Sequence, residues 1–285
     1  MAPVGAGSVA GAASVLVGHP FDSLKTKLQV GSPLSTVLST ERGAVATLQQ
    51  LYRGVGPPLF TVGLVQSVNF TLYEFFKHKL LLKERASKAH VSDNYYLTRV
   101  FMAGACGGAG LAVLTNPISL VKVQQQVATE EGMLQCARHL WRKQGPRVFF
   151  RAFGPTLAME ILGRGVYIAT YEAVKLRLLD PAQADCLKSG GIVQVDLPTK
   201  LASAACAGIL GWFSVFPIDV VKNRMLLDSA GETFPSVRSC IVATWREGGV
   251  TRFYRGLGFS LFRAAPVAAA VLPLYESIRS FLLAS

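Results

Sequence analysis

Long apolar stretches alternate with short polar ones along this 285-residue chain, and the pattern comes round three times. In each round, small and apolar residues run up to a proline, pass a polar position and a base, and enter a segment of mixed polarity. A second apolar stretch follows. Aligned on their prolines, the rounds read Pro20-Phe21-Asp22-Ser23-Leu24-Lys25, Pro117-Ile118-Ser119-Leu120-Val121-Lys122 and Pro217-Ile218-Asp219-Val220-Val221-Lys222, at steps of 97 and 100 residues. Gly7, Gly104 and Ala204 stand 13 positions before the proline, and Gly11, Gly108 and Gly208 stand nine before. That small-xxx-small face lets helices approach closely. Each first stretch is therefore expected as a helix that packs tightly early and kinks at its proline, where the backbone lacks a donor.

The second stretches share an anchor: Tyr52-Arg53-Gly54, Phe150-Arg151-Ala152 and Tyr254-Arg255-Gly256. Twenty residues past each arginine lies Tyr73-Glu74, Tyr171-Glu172 or Tyr275-Glu276, with Lys77, Lys175 or Arg279 three residues beyond the acid. A gapless interval of that length predicts one rigid helix of about 30 Å, enough to cross a bilayer. The mixed segments, such as 131–144 and 235–247, predict amphipathic helices lying on a surface. The polar stretches 84–94 and 180–197 predict loops. The fold class expected is thus all-α and membrane-embedded, with six transmembrane helices in three pseudo-threefold repeats: residues 1–90, 91–190 and 191–285, forming one transport domain. Soluble helical solenoids repeat at shorter periods and do not need apolar residues on every helix face.

Composition agrees. The chain is 51% hydrophobic and 16% charged, against about a quarter charged in an ordinary soluble domain. Its net charge of +12 suits anionic lipid or an anionic ligand. The basic residues form no stripe or recognition motif, so nucleic acid is not expected. Five cysteines without a CxxC pair predict reduced thiols packed as small hydrophobes, and neither a metal site nor a cofactor. No cleavable secretion signal is expected ahead of the first repeat. An enzyme is not expected either, since no nucleophile–base pair or phosphate-cradling loop is present.

Charges inside apolar helices need partners, since an unpaired one at membrane depth costs at least ~2.5–3.5 kcal/mol. Three helices converging at their prolines would bring Asp22, Ser119 and Asp219 near Lys25, Lys122 and Lys222 of neighbouring helices. A static lock would need one such ring. The aromatic-acid triplets form a second ring toward the other end, and two rings that break in turn suit alternating access.

At these motifs the chain resembles the mitochondrial carrier family. The family's proline-any-acid-any-any-base signature and its aromatic-base-glycine element stand complete in the first and third repeats and with one replacement each in the second. The resemblance implies a matrix gate in which Asp22 pairs with Lys122 and Asp219 with Lys25, braced by Gln29 and Gln126. It implies a cytoplasmic gate of Tyr73, Glu74, Lys77, Tyr171, Glu172, Lys175, Tyr275, Glu276 and Arg279. Its pairs would be Glu74 with Lys175, Glu172 with Arg279, and Glu276 with Lys77. The chain departs from the pattern at Ser119, which leaves Lys222 without a carboxylate, and at Leu226, Gln144 and Ala152. Ser119 predicts a weakened matrix gate. The localisation implied is the mitochondrial inner membrane, multi-pass; the partners implied are a small-molecule metabolite and membrane lipid, cardiolipin, with the chain monomeric.

Substrate would sit between the rings. Eight residues past each loop arginine lie Thr61, Met159 and Arg263; nine past lie Val62, Glu160 and Ala264; thirteen past lie Gln66, Arg164 and Ala268. Glu160 offers an acceptor for an ammonium, and Arg263 a forked donor for a carboxylate or phosphate. Glu160 and Arg164, at i and i+4, could instead neutralise one another. The run Arg263-Ala264-Ala265-Pro266 resembles the branch that moves carnitine, ornithine and basic amino acids, although that branch has an Arg-acid pair where this chain has Met159-Glu160. The alternatives are a carrier of another carboxylate or a nucleotide-type metabolite, and a non-transporting carrier that serves as a membrane scaffold. His19, next to the first proline, is expected in helix packing, with proton transfer as the alternative.

Overall fold

A computed structural model describes residues 2–29, 44–81, 92–127, 132–188, 193–264 and 266–267. Among these, every regular element is helical. The helices are α1 (Ala2–Gln29), α2 (Ala44–Tyr52), α3 (Gly56–Leu81), α4 (Asp93–Val127), α5 (Met133–Gln144), α6 (Phe153–Leu178), α7 (Pro181–Lys188), α8 (Leu197–Leu227), α9 (Val237–Phe253) and α10 (Leu257–Phe262). A 3-10 turn, Pro146–Phe150, joins α5 to α6.

The proline helices are α1, α4 and α8, which hold Pro20, Pro117 and Pro217 inside their runs. Of the described helices, α4 and α8 are long and apolar enough to cross a membrane by length and composition. Helices α1, α3 and α6 have 28, 26 and 26 residues and extend about 40 Å. The sixth expected span falls largely beyond residue 267, outside the described residues.

The two-helix rhythm is punctuated by glycines with positive φ. After each second-stretch arginine the backbone turns left-handed: Gly54 at 77°, Ala152 at 61° and Gly256 at 94°. A Cβ on Gly54 would stand 2.8 Å from the Lys122 carbonyl oxygen, so glycine is required there twice over. Ala152 adopts the same conformation against its own side chain, and is the one described non-glycine with positive φ. Surface helix α9 opens on a capping box in which Ser236 and Ser239 each accept from the other's backbone N–H at 3.1 Å. It breaks at Gly248–Gly249.

One expected loop is a helix. Within 180–197, residues 181–188 form α7, because Pro181 starts it without needing a hydrogen bond and Ala184 is buried against Tyr96, Val100 and Leu176. Lys188 at its end binds Asp93 at 2.7 Å and Asp185 at 2.9 Å. In 84–94, the described residues 93 and 94 already belong to α4.

The described chain forms two compact units. The first comprises Met1–Gln66, Leu114–Pro155 and Pro217–Ser285. Its core joins Leu120, Val121 and Val123 of α4 to Val221, Met225 and Leu226 of α8, with Cys136, Leu140, Cys240 and Phe253 from the surface helices. The second comprises Ser67–Val113 and Thr156–Phe216, where α4 and α6 pack through glycines. Cys136 and Cys240 are buried thiols, while Cys186 and Cys206 are exposed, and all five cysteines are free.

Candidate functional site

In the first unit the turns that follow the helix prolines gather a network of charge. The turn below Pro20 presents Asp22, and Lys122 Nζ from α4 reaches its Oδ2 at 2.8 Å. Lys25, one turn along α1, bonds Asp219 Oδ2 of α8 at 2.7 Å. The two pairs named from the sequence are therefore both formed. Gln29 Nε2 donates to Asp219 at 2.8 Å, so the brace acts on the carboxylate. Gln126, its counterpart, instead donates to the Ser23 hydroxyl at 3.3 Å.

Lys222, which the sequence leaves without an acid at Ser119, is 6% exposed and stands one turn after Asp219 on α8, whose carboxylate bonds Lys25. Asn223 helps: its amide donates to Gln29 Oε1 at 2.6 Å and to Asp219 at 3.3 Å. It replaces the brace that Leu226 cannot give, and only its place next to the signature lysine hinted at it.

Arg263 is the second departure. Expected at the substrate level, it bends to Asp22, with Nη1 3.0 Å from Oδ1 and 3.2 Å from Oδ2. Its path runs over Gly18, where a Cβ would stand 3.1 Å from Arg263 Cδ. Thr115 and Val215 occupy the equivalent positions. That lone glycine was the available signal, and sequence reasoning missed it. Asp22 therefore accepts from two cations, whose side chains are 22% and 32% exposed.

His19 and Asn116, each preceding a kink proline, do one job. His19 Nε2–H donates to the Arg53 carbonyl at 2.9 Å, and Asn116 Nδ2 donates to the Arg151 carbonyl at 3.2 Å. Both tie a kink to its loop arginine. Of the remaining candidates in this unit, Thr61 spends its hydroxyl on the Pro57 carbonyl at 2.6 Å. Val62 packs on Gly11, at 3.4 Å from a Cβ there. Gln66 and Ala264 are exposed.

At the base of the unit, Arg252 donates to the Leu28 and Gln29 carbonyls at 3.1 Å each, capping the C-terminus of α1. Glu247 accepts from Arg252 at 2.9 Å and also from Arg224. Burial pushes the Glu247 carboxyl up, but the two guanidiniums outweigh it and hold the group below its ordinary range. Gln124 donates to the Leu226 and Leu227 carbonyls at 2.7 and 2.8 Å, capping α8 in the same way.

In the second unit, Glu160 is 8% exposed and accepts from Arg164 Nε at 3.2 Å. Opposite them on α4 lie Gly104 and Gly108. A Cβ at Gly108 would sit 2.2 Å from the Glu160 carbonyl oxygen, and one at Gly104 2.9 Å from that of Arg164. The small-residue face therefore sets the depth of the very turn that carries the candidate acid. Met159 precedes it, partly buried. At Gly208, by contrast, nothing among the described residues lies within 4 Å of a built Cβ.

The same unit holds the described part of the second ring. Lys175 Nζ bonds Glu172 of its own helix at 2.6 Å, and Tyr96 Oη donates to Glu172 at 3.1 Å. Lys175 lies over the Tyr171 ring at 5.2 Å and Lys77 over Tyr73 at 5.5 Å. The Glu74 side chain and Tyr275, Glu276 and Arg279 lie outside the described residues, as does Ala268, so each of the three expected inter-helix pairs has a member there. No group of three or more metal-binding side chains occurs among the described residues.

A family model described as "Mitochondrial carrier protein" matches residues 1–84, 93–182 and 193–285. Among curated relatives, the chain is similar to the mitochondrial basic amino acids transporter of Bos taurus, 31% identical over 97% of this chain and 90% of the relative. It is similar to the mitochondrial carnitine/acylcarnitine carrier-like protein of Arabidopsis thaliana, 30% identical over 97% and 96%. The mitochondrial glycine transporter YMC1 of Saccharomyces cerevisiae is 30% identical over 95% and 88%.

Proposed function

The chain belongs to the mitochondrial carrier protein family, and from that premise we propose that it exchanges an amino-acid-like metabolite across the mitochondrial inner membrane as a multi-pass protein. Members of this family are transporters of small-molecule metabolites, not enzymes. The substrate class proposed is a basic amino acid, or carnitine and its acyl esters. The observation that carries this reading is Glu160, a carboxylate 8% exposed on a helix of the second stretch type. A carboxylate at that depth attracts an ammonium and repels polyanions. Arg263 supplies a forked donor for a carboxylate, and a basic amino acid or carnitine offers a carboxylate as well as a cation. The names of the cattle and Arabidopsis relatives favour the same class.

The proposed mechanism follows from the sharing of Asp22. With no solute present, Arg263 and Lys122 both neutralise it. A solute carboxylate competes for Arg263 and leaves Asp22 to Lys122 alone, which loosens the matrix ring. In the cytoplasmic ring, Lys175 exchanges its own-helix partner Glu172 for an acid on a neighbouring helix as that side closes. The net charge of +12 supports an anionic lipid setting, cardiolipin included, and three repeats within one chain support a monomeric working unit. The scaffold alternative draws on Ser119, but the ring still holds two ion pairs without an acid there, Asp22 with Lys122 and Asp219 with Lys25.

The test is reconstitution of the full chain, with thermal stabilisation and counter-exchange measured against arginine, lysine, ornithine, carnitine, ADP and dicarboxylates. A ligand that binds the folded state raises apparent stability by mass action. Hits among the amino acids or carnitine are expected. ADP hits without them overturn the Glu160 argument, and a folded protein with no hit favours the scaffold.

A further inference from the structure

Glu172 has both of its carboxylate oxygens engaged. Lys175 of the same helix bonds Oε1 at 2.6 Å, and Tyr96 Oη of α4 donates to Oε2 at 3.1 Å. The acid and the base are each 7% exposed and Tyr96 is 3% exposed, so water competes little for these bonds. Tyr96 is seated in turn by α7. Ala184 of that helix is buried against Tyr96, Val100 and Leu176. Three residues before Tyr96, Asp93 takes the Lys188 ammonium at 2.7 Å, while Asp185 holds the same ammonium at 2.9 Å. The Lys188 side chain is 9% exposed although both acids are more than half exposed. Helix α7 thus grips the first turn of α4 at two points, one apolar and one ionic. All of these residues belong to the second unit.

We propose that Tyr96, seated by α7, is a positioning residue that holds Glu172 in its own-helix pair and so sets how readily the cytoplasmic ring closes. The proposal rests on the exchanger reading, in which Glu172 and Lys175 leave one another for partners on neighbouring helices. Lys175 cannot supply the hold by itself, because a partner three residues along the same helix travels with Glu172 wherever that helix goes. Tyr96 stands on a different helix, so its bond breaks when the end of α6 moves against α4. A phenol steadies the carboxylate without bringing a charge, and it can be given up when a cation arrives. The matrix pairs of Asp22 with Lys122 and Lys25 with Asp219 are formed in the same structure. With one ring made, alternating access requires the other to be kept apart.

The third repeat gives an internal comparison. Asp196 stands 21 residues before Pro217, as Tyr96 stands 21 before Pro117. Asp196 accepts from the Thr199 backbone N–H at 3.3 Å and so caps α8. An ionised acid there has no proton to donate to a carboxylate. The hold is therefore a feature of the second repeat and not of the repeated pattern.

The test is counter-exchange by the full chain in liposomes of one insertion orientation, with arginine, carnitine or ADP, whichever of them exchanges. Half-saturation is measured for solute on the Glu172 side and on the opposite side. Each value is the intrinsic affinity divided by the fraction of carrier open to that side, so their ratio reads the balance between the two states. Loss of folded protein lowers the maximal rate and leaves the ratio alone. Tyr96→Phe keeps the ring and removes only the hydroxyl; it should raise the ratio about tenfold, the worth of one hydrogen bond to a charged group. Lys188→Gln loosens one anchor of α7 and should raise it by a few-fold. The double variant should go no further than Tyr96→Phe, because α7 acts through Tyr96. Asp196→Asn should leave the ratio in place.

An unchanged ratio in a folded Tyr96→Phe variant overturns the proposal and leaves the exchanger standing. So does an equal shift in Asp196→Asn. Shifts that add in the double variant overturn the part given to α7. If Tyr96→Phe fails to fold, Lys188→Gln and Asp93→Asn carry the test from the other anchor, and an unchanged ratio in both overturns it. A parent chain that is folded and exchanges none of the solutes sinks the exchanger, and this proposal with it.

Discussion

Replacing Ser119 with Asp supplies the carboxylate that the second repeat lacks. The acid of the first repeat meets the base of the second, Asp22 to Lys122 at 2.8 Å, and the acid of the third meets the base of the first, Asp219 to Lys25 at 2.7 Å. By the same rule position 119 faces Lys222, which is 6% exposed. A charge-assisted hydrogen bond nets about 1.5–3 kcal/mol. Desolvating a new carboxylate at a partly buried position removes part of that. A remainder of about 1.4 kcal/mol, acting on the closed ring and not on the open one, slows its opening about tenfold. The assay is counter-exchange in liposomes with the best solute of the panel, alongside the melting temperature. Ser119→Asp should exchange about tenfold more slowly and melt higher, whereas Ser119→Asn, neutral and of similar size, should exchange near the parent rate. Unchanged or faster exchange by a folded Ser119→Asp variant refutes the argument that this ring is a gate.

Gly108→Ala places a methyl 2.2 Å from the Glu160 carbonyl; overpacking of this kind costs about 1–3 kcal/mol, and both melting temperature and exchange rate should fall, with Gly208→Ala affecting neither as strongly. Arg263→Gln removes one of the two cations on Asp22 and should lower stability by about 1.5 kcal/mol; if Arg263 also takes the solute carboxylate, solute-induced stabilisation disappears, and its survival would restrict Arg263 to a lock. Glu247, held below the ordinary glutamate value of 4.5, contributes stability that is complete above that pH and is lost as the pH falls through its lower folded value. Acid unfolding should therefore flatten in Glu247→Gln at the acid end, while a parallel curve would mean that the pairing with Arg224 and Arg252 matters little.

The repeats and the faces that carry the proline-side charges were legible from spacing, and the two matrix pairs, Asp22 with Lys122 and Asp219 with Lys25, from the family resemblance. A proline, an acid and a base three residues on fix a helical face, and threefold recurrence tells which face meets which. The bend of Arg263 toward Asp22 was not legible. A long side chain chooses its partner by the space left for it, and that space is made by Gly18, a position that no motif marks. Asn223 escaped for a related reason: it braces Asp219 from within its own helix, where the pattern looks for a glutamine at Leu226. The helix over 181–188 was hidden by a polar composition that suits a loop equally well. Tertiary contact at Ala184 and the ion pairs of Lys188 decide it.

The capping of α1 by Arg252 and of α8 by Gln124 has a consequence for how the bundle comes apart. Where the first repeat meets each of its neighbours, the contact is ionic: Asp22 with Lys122 on one side, Lys25 with Asp219 and Arg252 with the α1 terminus on the other. Where the second meets the third, it is mostly apolar, built from Leu120, Val123, Val221 and Met225 with the Gln124 amide, and its ion pair, Arg151 with Asp228, is looser at 3.8 Å. Two tight ionic seams and a mostly apolar third have no reason to part in unison, so a molecule whose sequence is almost threefold can still open lopsidedly, one seam apart from the other two.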